Sequence, residues 1–432
     1  MIGDPLAVAI LIGVFVAALA LRIPIALGLA LASLCTALYL QIPLPVVGQQ
    51  IVNALLTFPL LAIPFFVLAG EIMGAGGISR RLIDLANLMI GRLRGGMAML
   101  NVMASTFFGG ISGSAVADTS SIGSVMVPVM KRTGYDARFS VGVTVSSSIQ
   151  GVLIPPSHNM IIYSLAAGGS VSIGALFLAG VLPGLLLALA LLGLTYYLSW
   201  RRKYPKGERV PLREWPRVIW QGSLGLLTPV IIIGGVMTGV FTATESAAIA
   251  CVWALVVSLV VYRELTPRGL IGVLNRATRT LSSVLFLIAS AGAFGYLMTQ
   301  LRIPAALTQS LTGMSDNPIV VLLLINLMLL ALGTVMDMAP LILITTPILL
   351  PVATSVGMDP VQFGVMLMLN LGLGLITPPV GGVLFVGAAV GDIRVEDATR
   401  GVLPFYAPML LVLLAITFVP ALSLWLPSLA GL

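Results

Sequence analysis

Apolar stretches long enough to cross the roughly 30 Å of bilayer hydrocarbon recur from Leu6 to the C-terminus, predicting about ten full crossings plus two pairs of shorter segments. Only helices and closed barrels satisfy their own backbone groups in lipid, and stretches of this length are helical, so the pattern predicts an all-α polytopic membrane protein. Composition agrees. The 432 residues are 59% hydrophobic and 9% charged, against about 25% charge in a soluble domain, which leaves no room for a large soluble domain. The formal charge of +7 sits in short connections between spans, and so reads as membrane orientation rather than nucleic-acid binding. The first span ends in Ala17, Ala18 and Ala20 but follows Asp4 and no basic residue, so it is read as a span and not as a cleaved leader. Cys35 and Cys251 lie within spans, far from metal-type spacing, and read as small apolar groups.

Sliding the chain along itself matches residues 110–168 to 333–391, at an offset of 223. Gly110 falls on Gly333, Pro128 on Pro351, Gly134 on Gly357, Asp136 on Asp359, Gly151 on Gly374, Pro155 and Pro156 on Pro378 and Pro379, and Gly168 on Gly391. Chance predicts about 0.2 aligned Pro pairs over such a window, and three are present. The connection from Ser199 to Arg217 holds seven basic residues and is expected on the cytoplasmic side. Counting back from it places Lys131, Arg132, Arg138, Arg80, Arg81, Arg92, Arg94 and Arg22 on that same side, whereas the matching stretches 354–361 and 303–318 carry no basic residue, so the two copies are expected to face opposite ways. Arg302 alone resists the scheme, which leaves both termini outside.

The repeated region predicts two kinds of unusual element. Residues 1–198 form the first repeat, with a re-entrant hairpin at about 95–131 and a broken helix at about 136–168; 199–217 is a basic linker; 218–432 form the second repeat, with a hairpin at about 318–355 and a broken helix at about 360–391. The breaks fall at GVLIPPSHN (Gly151 to Asn159) and GLITPPVGG (Gly374 to Gly382). Proline lacks an N–H, so carbonyls around Gly151 to Ile154 and Gly374 to Thr377 are expected to lose their helical partners. In hydrocarbon such groups persist only beside protein, a cavity or an ion. Two tips and two breaks meeting near the midplane would offer oxygens to small cations, and half-helix N-termini to an anion.

Six segments resemble the large membrane subunit of tripartite ATP-independent periplasmic (TRAP) transporters: residues 65–86, 109–130, 134–163, 239–250, 333–340 and 374–382. The resemblance covers essentially the whole chain. It implies Na⁺-coupled uptake of an organic acid anion across the bacterial inner membrane, without ATP, with a small Q-type membrane subunit, a periplasmic substrate-binding protein, and an elevator motion of the hairpins against a scaffold. Amphipathic helices at Ile78 to Gly91 (Ile78, Leu82, Leu85 and Met89 on one face) and Ile303 to Met314 (Ile303, Leu307, Leu311, Met314) read as interfacial arms. With the repeat, the resemblance nominates Gly110, Ser112, Ser114 and Gly151 for one Na⁺ site and Gly333, Thr334, Gly374 and Thr377 for a second. The substrate carboxylate is expected near Ser112, Ser157, Asn159, Thr377 and Gly381. Asp337 is either ion-linked or the cap of its hairpin's second arm; Asp118 reads as capping or packing, and Glu71 and Glu245 as helix-terminal.

Two rivals have their own signals. Gly110 to Gly113 spell GxSG, and the single histidine, His158, follows, as in an intramembrane serine protease, but neither Ser112 nor His158 has a counterpart in the matching copy. A sodium/carboxylate carrier that needs no binding protein is the nearer rival. Three lysines, none in a phosphate-loop setting, disfavour an ATP-driven machine. Substrate identity, the number of Na⁺ ions, the conformational state and the wider assembly are not legible.

Overall fold

A computed structural model describes residues 4–207, 211–314 and 317–432, which are helical with no strand among the described residues. Arg209 of the basic linker, and the side chains of Leu311 and Met314 in the second arm, lie outside the described residues. Among the described residues six helices are long and apolar enough to cross a bilayer, or seven if the bent pair Ala62–Ala75 and Ile78–Ile90 forms one span. The ten crossings expected from hydropathy exceed this because several apolar stretches wind into short helices. Pro5–Ala20 and Ile25–Tyr39 have 16 and 15 residues, about 24 and 22 Å at 1.5 Å per residue. They stop at Arg22 and Gln41, both with positive φ.

Local chemistry explains the positions shared by the two copies. Gly134 and Gly357 both take φ near +90°, a conformation that favours glycine and ends the preceding helix. Two residues later, Asp136 accepts from Phe139 N at 3.0 Å and Asp359 from Val361 N at 2.7 Å, each capping the span that follows. Both Pro pairs, Pro155-Pro156 and Pro378-Pro379, are cis. Each copy therefore runs as two arms and a divided span: Gly96–Ser112, Ala115–Arg132, then Ala137–Ser148 with Gln150–Leu153 and His158–Ala166; and Pro318–Gly333, Met338–Ser355, then Pro360–Leu375 and Gly382–Gly391.

Buried polar groups tie the first arm of each pair to the span behind it. In the first copy Asn101 Nδ2 donates to Thr144 Oγ1 at 2.6 Å, Ser147 Oγ to Ser105 Oγ at 3.0 Å, and Thr106 Oγ1 to Gln150 Oε1 at 2.5 Å. In the second, Asn370 Nδ2 donates to Asn326 O at 3.0 Å and Oδ1 at 2.8 Å. Asp118 is fully buried in the first turn of Ala115–Arg132 and accepts from Ser105 Oγ at 3.3 Å, joining this network rather than capping the helix, which Ser114 does.

The copies also interlock. Gly142 packs against the Gly401 backbone, Gly372 against Ile149 and Val152, and Gly387 against Val145. Tyr163 Oη donates to Pro360 O at 2.6 Å and Lys131 Nζ to Gly391 O at 3.1 Å. Around this body, Ala62–Ala75, Ala243–Val256 and the 34-residue Pro267–Gln300 pack against one another or through Ala62–Ala75, with Ile25–Tyr39 and Leu44–Leu55 outside them.

The Ile78–Ile90 helix turns 70° from Ala62–Ala75 after Gly77. Its buried face is Ile78, Ser79, Leu82, Ile83 and Ala86, whereas Met89 is exposed, so the stripe expected at Ile78, Leu82, Leu85 and Met89 drifts off the contact before its last member. Gly222 and Gly225 admit Leu85, Ile78 and Leu82 of this helix, which sets where the packed face lies. Arg81 pairs with Glu264 at 2.7 Å and lies 3.8 Å above the Tyr262 ring centroid. Glu245 completes a capping box with Thr242, as expected of a helix-terminal residue; Glu71 instead lies inside Ala62–Ala75.

Candidate functional site

Each pair of arms closes on the break that follows it. In the first copy Gly113, at φ +61°, ends the first arm, and a Cβ there would meet Pro156 O at 2.6 Å. A Cβ on Gly109 would lie 2.7 Å from Gly151 Cα, and one on Gly110 3.2 Å from Ile154 Cγ2. In the second copy a Cβ on Gly374 would fall 2.5 Å from Gly333 Cα, and Thr334 O accepts from Val380 N at 3.0 Å. The four glycines nominated for cation sites, Gly110, Gly151, Gly333 and Gly374, thus sit where two backbones touch, with Gly109 in the contact beside Gly110.

The breaks recover part of what proline removes, contrary to the expectation of wholly unpartnered carbonyls. Thr377 N donates to Gly374 O at 3.0 Å and Ile376 N to Leu373 O at 3.3 Å, a tightened last turn. Tyr406 Oη donates to Ile376 O at 2.8 Å and lies 2.9 Å from Thr377 Oγ1, which also donates to Leu373 O at 2.6 Å. Tyr406 lies outside every repeated segment, so nothing in the motif pointed to it. In the first break Ile154 N donates to Gln150 O at 2.9 Å, whereas Ser157 Oγ is buried with no hydrogen-bond partner among the described residues. Ser157 precedes His158–Ala166 without capping it through its side chain.

A cavity of about 640 Å³ opens between the tips. Three helix N-termini reach it: Ser114 to Ala117 of Ala115–Arg132, His158 and Asn159 of His158–Ala166, and Asp337 to Ala339 of Met338–Ser355. The positive end of each helix dipole, and the first-turn N–H groups that the Ser114 and Asp337 caps do not take, favour an anion there. Ser112 joins them, its Oγ 3.4 Å from Ser114 N and 3.5 Å from Ser114 O. Asp337 accepts from Met338 N at 2.9 Å, so its carboxylate is the cap of its helix while facing the cavity. The cavity is also lined by Gly70, Glu71 and Gly74 of Ala62–Ala75 and by Arg276, Thr280 and Val284 of Pro267–Gln300.

Of the nominated substrate residues the cavity brings together Ser112 and Asn159; Ser157 is buried behind it, and Thr377 and Gly381 lie apart at the second break. Pro378, Pro379 and Val380 are exposed while Pro155 and Pro156 are buried, so the two copies are not equivalent in packing. Gly70 and Gly74 were not singled out, although their spacing of four in an apolar stretch is a signal for close helix approach; a Cβ on Gly70 would sit 3.5 Å from Ser112 Cα. No hydrogen bond joins Ser112 to His158, so the protease pairing is not assembled.

The family model described as "Tripartite ATP-independent periplasmic transporter, DctM component" matches residues 12–422. The sialic acid TRAP transporter large permease protein SiaM of Vibrio cholerae is 42% identical over 382 residues, covering 88% of this chain and 89% of that one. The isethionate TRAP transporter permease protein DctMQ of Oleidesulfovibrio alaskensis is 41% identical over 425 residues, covering 98% of this chain and 66% of that one. Among solved structures, the Alcanivorax borkumensis YdaH transporter shares the fold with a TM-score of 0.61 at 15% identity, over 88% of this chain and 87% of that one. With the helical architecture and the match across nearly its full length, the chain belongs to the DctM family, the large permease component of tripartite ATP-independent periplasmic transporters.

Proposed function

We propose that this chain is the permease of a Na⁺-coupled system that takes up an organic acid anion across the bacterial inner membrane. The observation that carries the reading is the convergence of three helix N-termini on one cavity, a site for a carboxylate or sulfonate rather than a cation. Sialic acid, isethionate and C4-dicarboxylates all fit that chemistry, the first two by relation to the permeases named above. Beside this site, hydroxyls and backbone oxygens meet at each contact of tip and break. Ser112, Ser114 and the unpartnered Ser157 supply oxygens in the first copy, Thr334 and Thr377 in the second, and hard cations such as Na⁺ favour ligands of this kind. The permease works with a small membrane subunit and a periplasmic binding protein that delivers the anion. The interlocked arms and broken spans slide as one body against Ala62–Ala75 and Pro267–Gln300, and both termini lie in the periplasm.

The test is uptake into proteoliposomes holding the large and small subunits, with the binding protein outside and an inward Na⁺ gradient. Replacing Na⁺ by choline is expected to lower the initial rate at least about tenfold. Thr377→Ala, which removes one hydroxyl from the second contact, is expected to raise the half-saturating Na⁺ concentration severalfold while leaving the anion KM near its original value. Uptake indifferent to Na⁺ would remove the coupling from this reading, and uptake at full rate without the binding protein would favour an autonomous carrier.

A further inference from the structure

One wall of the cavity carries an ion pair that the reading above leaves unused. Arg276 Nε donates to Glu71 Oε2 at 2.9 Å. Among the described residues two other ion pairs occur, Arg81–Glu264 and Arg138–Asp397, and neither lines the cavity. Arg276 and Glu71 both do, together with Ser112, Ser114, Asn159 and Asp337.

They belong to two helices outside the repeated segments, Glu71 to Ala62–Ala75 and Arg276 to Pro267–Gln300. Pro267–Gln300 packs chiefly against Ile25–Tyr39, Leu44–Leu55 and Ala62–Ala75. Its 34 residues exceed the roughly 20 needed to cross the hydrocarbon, and Arg276 lies in its third turn. The side chains of Arg276 and Glu71 are 54% and 30% exposed.

The geometry of the pair is one-sided. Glu71 takes Nε only, and no described residue hydrogen-bonds the two terminal nitrogens of Arg276. Their four N–H groups, of the guanidinium's five, include the end-on pair that can meet a carboxylate or sulfonate with two parallel bonds. Glu71 therefore orients the guanidinium through Nε and leaves the terminal pair for a second anion.

We propose that Arg276, held in place by Glu71, is a second anion-binding group of the cavity, gripping the acid group of the substrate from Pro267–Gln300 in addition to the three helix N-termini. Glu71 is its positioning residue. The inference rests on the uptake reading, and it adds a contact made by a helix outside the repeated segments.

The experiment uses the same proteoliposomes, with N-acetylneuraminate, isethionate and succinate each supplied singly as labelled probe. For whichever probe the unaltered protein takes up, Arg276→Gln is expected to raise KM about tenfold, the loss of one charge-assisted contact, with kcat within about twofold. Arg276→Lys, which keeps the charge but not the fork, is expected to fall between, and Glu71→Gln to raise KM about threefold. Arg279→Gln, three residues on and outside the cavity, reports the general field and is expected to leave KM unchanged. Kinetics of Arg276→Gln equal to the original protein, or an equal shift in Arg279→Gln, would overturn the proposal. Should Arg276→Gln fail to assemble, an unchanged KM in Arg276→Lys would overturn it too. Failure of the unaltered protein to take up any of the three probes overturns the uptake reading itself, and this inference with it.

Discussion

Gly374→Ala is expected to abolish uptake while leaving the chain able to insert. The added Cβ would lie 2.5 Å from Gly333 Cα and carbonyl carbon and 2.7 Å from its oxygen, all backbone atoms, so no side chain can swing aside. The hairpin must lift off the break. Overpacking of this kind costs about 1–3 kcal/mol, and the same displacement separates the oxygens that the second contact brings together. Gly109→Ala is expected to act alike in the first copy, where its Cβ would meet Gly151 Cα at 2.7 Å. Gly295→Ala is the matched control, because nothing lies within 4 Å of its Cβ and alanine favours the helix interior by about 1 kcal/mol. Initial uptake rates and thermal unfolding in detergent, measured on all three, decide the matter: wild-type rates and stability in Gly374→Ala would show that the close contact has no part in transport.

Asn370→Leu is expected to weaken the fold by about 1–2 kcal/mol, a large effect for one interhelical polar contact in a membrane protein. Asn370 is fully buried and its Nδ2 is the donor that joins the divided span to the first arm of the second hairpin through Asn326. Asn326 in turn donates to Leu322 O at 3.0 Å and Thr417 Oγ1 at 3.2 Å, and Gln362 reaches Ile416 O and Thr417 O, so the network extends into Val395–Phe418. Leucine of similar size fills the space and leaves Asn326 Oδ1 without its donor. Thermal unfolding is the direct readout, with uptake falling in step as the hairpin loosens. A variant as stable as the original would mean that Asn326 finds another partner.

The features that could be read from the chain are those whose physics is local. Gly134 and Gly357 need a positive φ, Asp136 and Asp359 cap the next helix, and each Pro pair interrupts a span; all act within a few residues of themselves. Two arms and a divided span were therefore legible twice over. Hydropathy was less informative about length, because an apolar stretch such as Ile25 to Tyr39 looks alike whether its helix crosses fully or stops short. The site itself was legible only in part. Ser112, Ser114, Asn159 and Asp337 share one cavity, but Thr377 spends its hydroxyl on Leu373 and Tyr406, a partner 29 residues away that no pattern ties to the break. Arg276 was hidden for a different reason: a basic residue near a span end reads as a marker of orientation, and only tertiary packing sets it against Glu71 on the cavity wall.

The grip between the copies has a thermodynamic corollary. Because Lys131 holds the end of Gly382–Gly391, Tyr163 holds Pro360, and Gly372 lies on Ile149 and Val152, the first break and the second are neighbours in one packed body. A ligand that stiffens one break therefore prepays ordering at the other, so positive cooperativity between two occupants needs no relay through the rest of the molecule.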